Sequence, residues 1–143
     1  MIVPLLKGLG LTLRTFFTRP VTIRYPEEKM VMYPRYRGLH ELQRDGDGKL
    51  KCVACELCAR VCPAQCIRVE PAEDENHVRY PKVYEIDLLR CIFCGFCQEA
   101  CPYGAILLRE GYETANYTRG DLRLGLNQLR DAYAKKGTDP CSK

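Results

Sequence analysis

Cys52-Val-Ala-Cys55-Glu-Leu-Cys58-Ala-Arg-Val-Cys62-Pro63 and Cys91-Ile-Phe-Cys94-Gly-Phe-Cys97-Gln-Glu-Ala-Cys101-Pro102 are two copies of one pattern, C-x2-C-x2-C-x3-C-P. They hold eight of the ten cysteines in this 143-residue chain. Three thiols at such short intervals let a single loop wrap three corners of a compact inorganic core. The fourth, held close by the chain, cannot reach the remaining corner and must serve elsewhere. The proline behind it fixes φ and removes a backbone donor, which ends the loop.

This spacing is the bacterial iron–sulfur run, in which the fourth cysteine of each copy ligates the other cluster of a two-cluster domain. It assigns one [4Fe–4S] cluster to Cys52, Cys55, Cys58 and Cys101, and a second to Cys62, Cys91, Cys94 and Cys97. Such an exchange ties the two halves together, so cluster binding and folding become one event. Eight cysteines suffice for two structural zinc sites, but zinc gives no reason for a third cysteine at the same interval or for Cys-Pro twice. The N-terminus lacks a cationic stretch ahead of its apolar residues and a small-residue cleavage pattern. A reduced, intracellular setting is therefore expected, where dense cysteines mean metal or redox chemistry more often than disulfides.

Around the runs, Val53, Ile92, Phe93 and Phe96 are expected to form an apolar shell that restricts water. Gly95 allows a close backbone approach, with N–H groups turned toward cluster sulfurs. Cys66 stands at the offset from Cys62 that Ala105 has from Cys101, which marks it as a small buried residue; Cys141 is expected as a free thiol in the tail. His40 and His77, without partners at ligand spacing, are expected on the surface or in loops. Strands are predicted at 67–70, 83–86 and 105–108, with short helices starting from Glu56 and Gly95 and residues 71–82 as a polar loop or hairpin. The fold class is thus α+β: a pseudo-symmetric, two-cluster ferredoxin-like core over residues 52–110.

The flanks differ in character. Residues 1–19 read as an amphipathic helix, with Ile2, Leu5, Leu6, Leu9, Leu13, Phe16 and Phe17 on one arc and Lys7 and Arg14 outside it. Leu11 falls off this pattern, and Gly8 and Gly10 lower its helix propensity. Docking on a membrane surface or a partner suits it better than packing on its own core. Residues 20–51, punctuated by Pro20, Pro26, Pro34, Gly38, Gly46 and Gly48, are expected to be an extended linker lying over another surface. Residues 111–143 close the chain with a helix over 121–136, its face lined by Leu122, Leu126, Leu129 and Tyr133, stopping at Gly137.

The overall charge of +4 is unevenly placed: residues 1–51 hold ten Lys and Arg against five Asp and Glu, and the remainder is slightly acidic. A basic segment suits anionic lipid or an acidic protein face, and no nucleic-acid motif accompanies it. Charged residues interrupt every apolar stretch before the roughly 18 residues that a membrane span requires. No nucleophile–base pattern, phosphate-cradling glycine loop or nucleotide fingerprint is present. With four cysteines on each iron site there is no open position for a substrate, so electron transfer remains.

Beyond the cysteines, Gly8-Leu-Gly-Leu-Thr-Leu13, Arg19-Pro-Val-Thr-Ile-Arg-Tyr-Pro26, Tyr36-Arg-Gly-Leu-His40 and Tyr84-Glu-Ile-Asp87 resemble the two-cluster ferredoxin-like subunit of respiratory complex I, the NuoI/TYKY type, along nearly the whole chain. The resemblance implies a hetero-oligomer: an electron-relay subunit in the peripheral arm of a proton-pumping NADH:quinone oxidoreductase, passing electrons toward the last cluster before quinone. It implies other peripheral-arm subunits as partners, residues 1–19 at the junction with the membrane arm, and, in a bacterium, the cytoplasmic face of the inner membrane. Against the family pattern, Cys66 replaces a common Ala and the C-terminal tail is short. Related alternatives are the equivalent subunit of a membrane-bound hydrogenase or formate-hydrogenlyase-type complex, and a soluble two-cluster ferredoxin.

Overall fold

The structure, a computed structural model, describes residues 2–130. The chain forms two compact units, Met1–Val31 and Met32–Lys143. The first contains helix α1, Ile2–Phe16, with no buried residue. Its threonine hydroxyls bond back along the helix, Thr12 to the Leu9 carbonyl (2.9 Å) and Thr15 to that of Leu11 (3.0 Å). They therefore add no unsatisfied polar atom to its apolar face. Among the described residues, no helix is long and apolar enough to cross a membrane.

The second unit is built from two small antiparallel sheets and the two cysteine loops. Its elements are β1 His40–Leu42, α2 Leu57–Val61, β2 Ile67–Glu73, β3 Arg79–Asp87, α3 Phe96–Glu99, β4 Ile106–Leu108, β5 Arg123–Leu124 and α4 Leu126–Arg130, with a 3-10 turn at Gly120–Leu122. Helices α2 and α3 start behind Glu56 and Gly95 as expected. The segment around 71–82 is a hairpin: β2 pairs with β3 from Ile67↔Ile86 to Glu73↔Arg79, with a register shift at Glu70/Pro71. Pro71 lies opposite Pro81 there, and neither can donate to the ladder.

The expected linker needs correction at its C-terminal end, because His40–Leu42 is a strand of the core. It pairs with β4, His40↔Leu108 and Leu42↔Ile106, and is anchored by Gly38 N–H to the Arg109 carbonyl and Leu39 N–H to that of Gly111 (both 2.9 Å). The pairing obeys an exchange. The strand before the first run pairs with the strand after the second, and the strand before the second run pairs with the strand after the first. The core, Leu42, Tyr84, Ile86, Ile106 and Leu129, is drawn from both sheets and α4. Each such side chain contributes roughly 1.5–3 kcal/mol by leaving water.

The C-terminal helix also starts later than expected. Leu124 pairs with Ile86, and Gly125 then precedes α4, its N–H donating to Gln128 Oε1 at 3.0 Å. Strand pairing takes residues that a helical pattern alone claims, and the glutamine supplies a cap. Leu129 is fully buried, whereas Tyr133, Gly137 and Cys141 lie outside the described residues.

Candidate metal centre

The two cysteine loops have the same backbone. Ala54 and Phe93 hold left-handed φ values of 51° and 52°; Glu56 and Gly95, 63° and 82°; Gln65 and Gly104, 47° and 55°. These are equivalent positions of the two runs. Four of the six carry a Cβ, and each such residue costs on the order of 1–2 kcal/mol. Left-handed residues turn successive N–H groups to one side, making a concavity suited to an anionic group. The N–H groups already reach sulfur: Phe93 to Cys91 at 3.4 Å and Ala105 to Cys101 at 3.2 Å. Ala54 and Cys66 make the matching contacts to Cys52 and Cys62.

Two cavities result. One is lined by Cys52, Cys55, Cys58 and Cys101 with Leu42, Tyr84 and Ile106 behind them. The other is lined by Cys62, Cys91, Cys94 and Cys97, with Cys66, His40 and Ile67. Each therefore takes three cysteines from one run and one from the other. Among the described residues no three His, Cys, Asp or Glu side chains are placed to hold a single metal ion. The thiols instead stand apart around a space, with backbone donors at their sulfurs. That donor set fits a sulfur-rich polynuclear group whose corners are separated, as in a [4Fe–4S] cluster.

Burial sets the character of four of these thiols. It raises Cys52, Cys58 and Cys91 above the usual thiol range and pushes Cys97 up to about 12. Without a bound cation such groups keep their protons; with one, the low dielectric strengthens the metal–thiolate bond. At Cys62 burial also acts upward, but hydrogen bonds from the Cys66 N–H, the Cys66 thiol and the Ala64 and Gln65 backbone outweigh it and lower the thiol. Cys66 itself is buried, as expected, with its sulfur 3.5 Å from that of Cys62. Burial and the Cys62 sulfur hold it protonated, so it sits beside the second set as a neutral thiol.

The expected apolar shell is only partly in place. Phe93 packs against the core, Val53 lines the first cavity and Ile92 the second, but Ile92 is 66% and Phe96 47% exposed. The strands supply the inner wall of both cavities, and Phe96 lines neither. His40 is a clear correction: it is 1% exposed, its ring 5.6 Å from that of Phe93 and its Nε2 3.8 Å from Cys91 Sγ. Burial lowers its pKa to about 4, so the imidazole is neutral. His77 occupies the hairpin turn, as expected. Gly95 lines the second cavity, as expected, and a β-carbon added there would meet the Arg37 guanidinium at 2.8 Å. Arg37 donates to the Cys94 carbonyl and to Glu99 Oε1.

Comparison with known proteins agrees with this geometry. The 4Fe-4S dicluster domain family matches residues 51–105. NADH-quinone oxidoreductase subunit I 2 of Geobacter metallireducens is 52% identical over 121 residues, 85% of this chain and 92% of that protein. The protein of the same name from Rhizobium meliloti is 54% identical, over 87% of this chain and 67% of its own length. Subunit 9 of the Thermus thermophilus oxidoreductase is 51% identical, with 87% and 72% covered. A solved structure of the membrane-bound sulfane sulfur reductase, an archaeal respiratory membrane complex, contains a chain with a TM-score of 0.58 and 30% identity, covering 90% of this chain and 66% of that one. The present chain belongs to the NADH-quinone oxidoreductase subunit I family, carriers of two [4Fe–4S] clusters.

Proposed function

We propose that Cys52, Cys55, Cys58 and Cys101 hold one [4Fe–4S] cluster and Cys62, Cys91, Cys94 and Cys97 the other. The observation that carries this is the division of the eight thiols between two cavities, three from one run and one from the other in each. When bound, such groups store and release single electrons. The chain's own part is to fix the thiolates, shield them with strands β1–β4 and keep the two sites in one rigid core. It is a non-catalytic electron-relay subunit of a respiratory, iron–sulfur-bearing oxidoreductase complex.

The finer placement is in an NADH:quinone oxidoreductase, with electrons passing toward its terminal cluster and quinone; the family relatives support it. Residues 1–19, with Lys7, Arg14 and Arg19 beside an apolar arc that is not buried, would dock the chain where the peripheral arm meets the membrane arm. That puts the protein peripherally on the cytoplasmic face of a bacterial inner membrane. A second reading, the same subunit in a complex without NADH chemistry such as a membrane-bound hydrogenase, is favoured by the likeness to the sulfane sulfur reductase chain.

Purification in mild detergent tests both. Roughly eight irons with matching labile sulfide per chain are expected for two four-iron groups. Co-purifying flavin- and NADH-binding subunits support the first placement, and a nickel-containing subunit the second. Zinc without labile sulfide overturns the cluster assignment.

A further inference from the structure

The exchange of strands places two unlike side chains at one equivalent position. Ile67 and Ile106 stand at the same offset from Cys62 and Cys101, and pair with Ile86 and Leu42 respectively. Two residues along each ladder, Tyr84 pairs with Val69 and His40 with Leu108. Tyr84-Glu-Ile86 and His40-Glu-Leu42 are thus the same three residues of the two halves. Tyr84 and His40 are each 1% exposed. Tyr84 lines the first cavity with its Oη 3.3 Å from Cys58 Sγ, and His40 lines the second with its Nε2 3.8 Å from Cys91 Sγ.

Both polar atoms point at a thiol assigned to a cluster. His40 Nδ1 is buried without a hydrogen-bond partner. A hydrogen on Nδ1 would leave a buried donor unmade and turn a lone pair toward the sulfur. A hydrogen on Nε2 meets an acceptor, so the Nε2–H tautomer is preferred. The Tyr84 hydroxyl likewise faces a sulfur that accepts once it is a thiolate.

We propose that Tyr84 and His40 are a matched pair of sulfur donors, each setting the reduction potential of the cluster in its own half. This rests on the ligand assignment above. A donor aimed at a coordinating sulfur stabilises the electron-rich, reduced form more than the oxidised form, and so raises the potential. Neither side chain need gain or lose a proton. Because one donor is a phenol at 3.3 Å and the other an imidazole at 3.8 Å, the two otherwise similar sites are made unequal.

The test is redox titration of the full-length chain in its complex, followed by electron paramagnetic resonance, with iron and sulfide measured on the same samples. Tyr84→Phe keeps the ring and removes only the hydroxyl. It is expected to lower the midpoint of the first cluster and leave the second unchanged. His40→Leu is expected to lower only the second, and His40→Gln, which retains an N–H, to restore it. Midpoints that do not move, or that move together, at full iron content overturn the proposal. Should His40→Leu fail to hold its cluster, the natural chain labelled with 15N-histidine decides. A nitrogen and an exchangeable proton coupled to the reduced second cluster are expected, and their absence overturns the role of His40. A wrong ligand assignment shows separately, in the cysteine variants described below.

Discussion

Cys101 and Cys52 line the same cavity, although one closes the second run and the other opens the first. Replacing Cys101 by alanine is therefore expected to remove the cluster bounded by the first run and halve the iron content. Cys62→Ala is expected to remove the other. It should be combined with Cys66→Ala, because the Cys66 thiol lies 3.5 Å from the Cys62 sulfur and is placed to stand in for it. Spectra of each variant identify the missing cluster. Loss of the cluster held by the mutated cysteine's own run would refute the exchange.

Arg37 and Gly95 form a second linked pair. Gly95 has φ of 82°, and a β-carbon there meets the Arg37 guanidinium. Gly95→Ala is expected to destabilise the loaded protein by about 1–2 kcal/mol from the left-handed conformation alone, with the contact added to it. Thermal unfolding of Gly95→Ala with and without Arg37→Ala separates the parts. Only the contact should be recovered in the double variant.

Gly38 has no such freedom. A β-carbon there presses on the carbonyl oxygens of Arg109 and Gly111, the backbone acceptors that anchor β1. Gly38→Ala is expected to cost about 1–3 kcal/mol as an overpacking change against rigid backbone. Gly46, which has open space around it, is the control: alanine there should be close to neutral. Denaturant midpoints measured on both variants check the contrast.

Deleting residues 1–19 is expected to leave both clusters in place, since every assigned ligand lies in the second unit. The yield of intact complex should fall several-fold. Iron content and native electrophoresis of the assembled complex provide the check, and an undiminished yield counts against docking by this helix.

The two runs, the helices behind Glu56 and Gly95, and the hairpin between the runs were legible because each is a local pattern. Strand β1 was not. Three residues in a proline- and glycine-punctuated stretch carry no period, and their partners on β4 lie at the far end of the core. A signal was present in the likeness of Leu39-His40-Glu41-Leu42 to Val83-Tyr84-Glu85-Ile86, which marks both as the strand preceding a run. Missing it left His40 as a surface residue. Phe96 was misplaced for a related reason: hydrophobic character near a cysteine does not say which way a loop turns.

Residue spacing by itself determined the chemistry, because thiols set at fixed short intervals can wrap only certain inorganic groups. Tertiary structure alone decided which neutral donor faces which sulfur. That depends on strands distant in sequence meeting in register, a consequence of shared burial that no single segment contains.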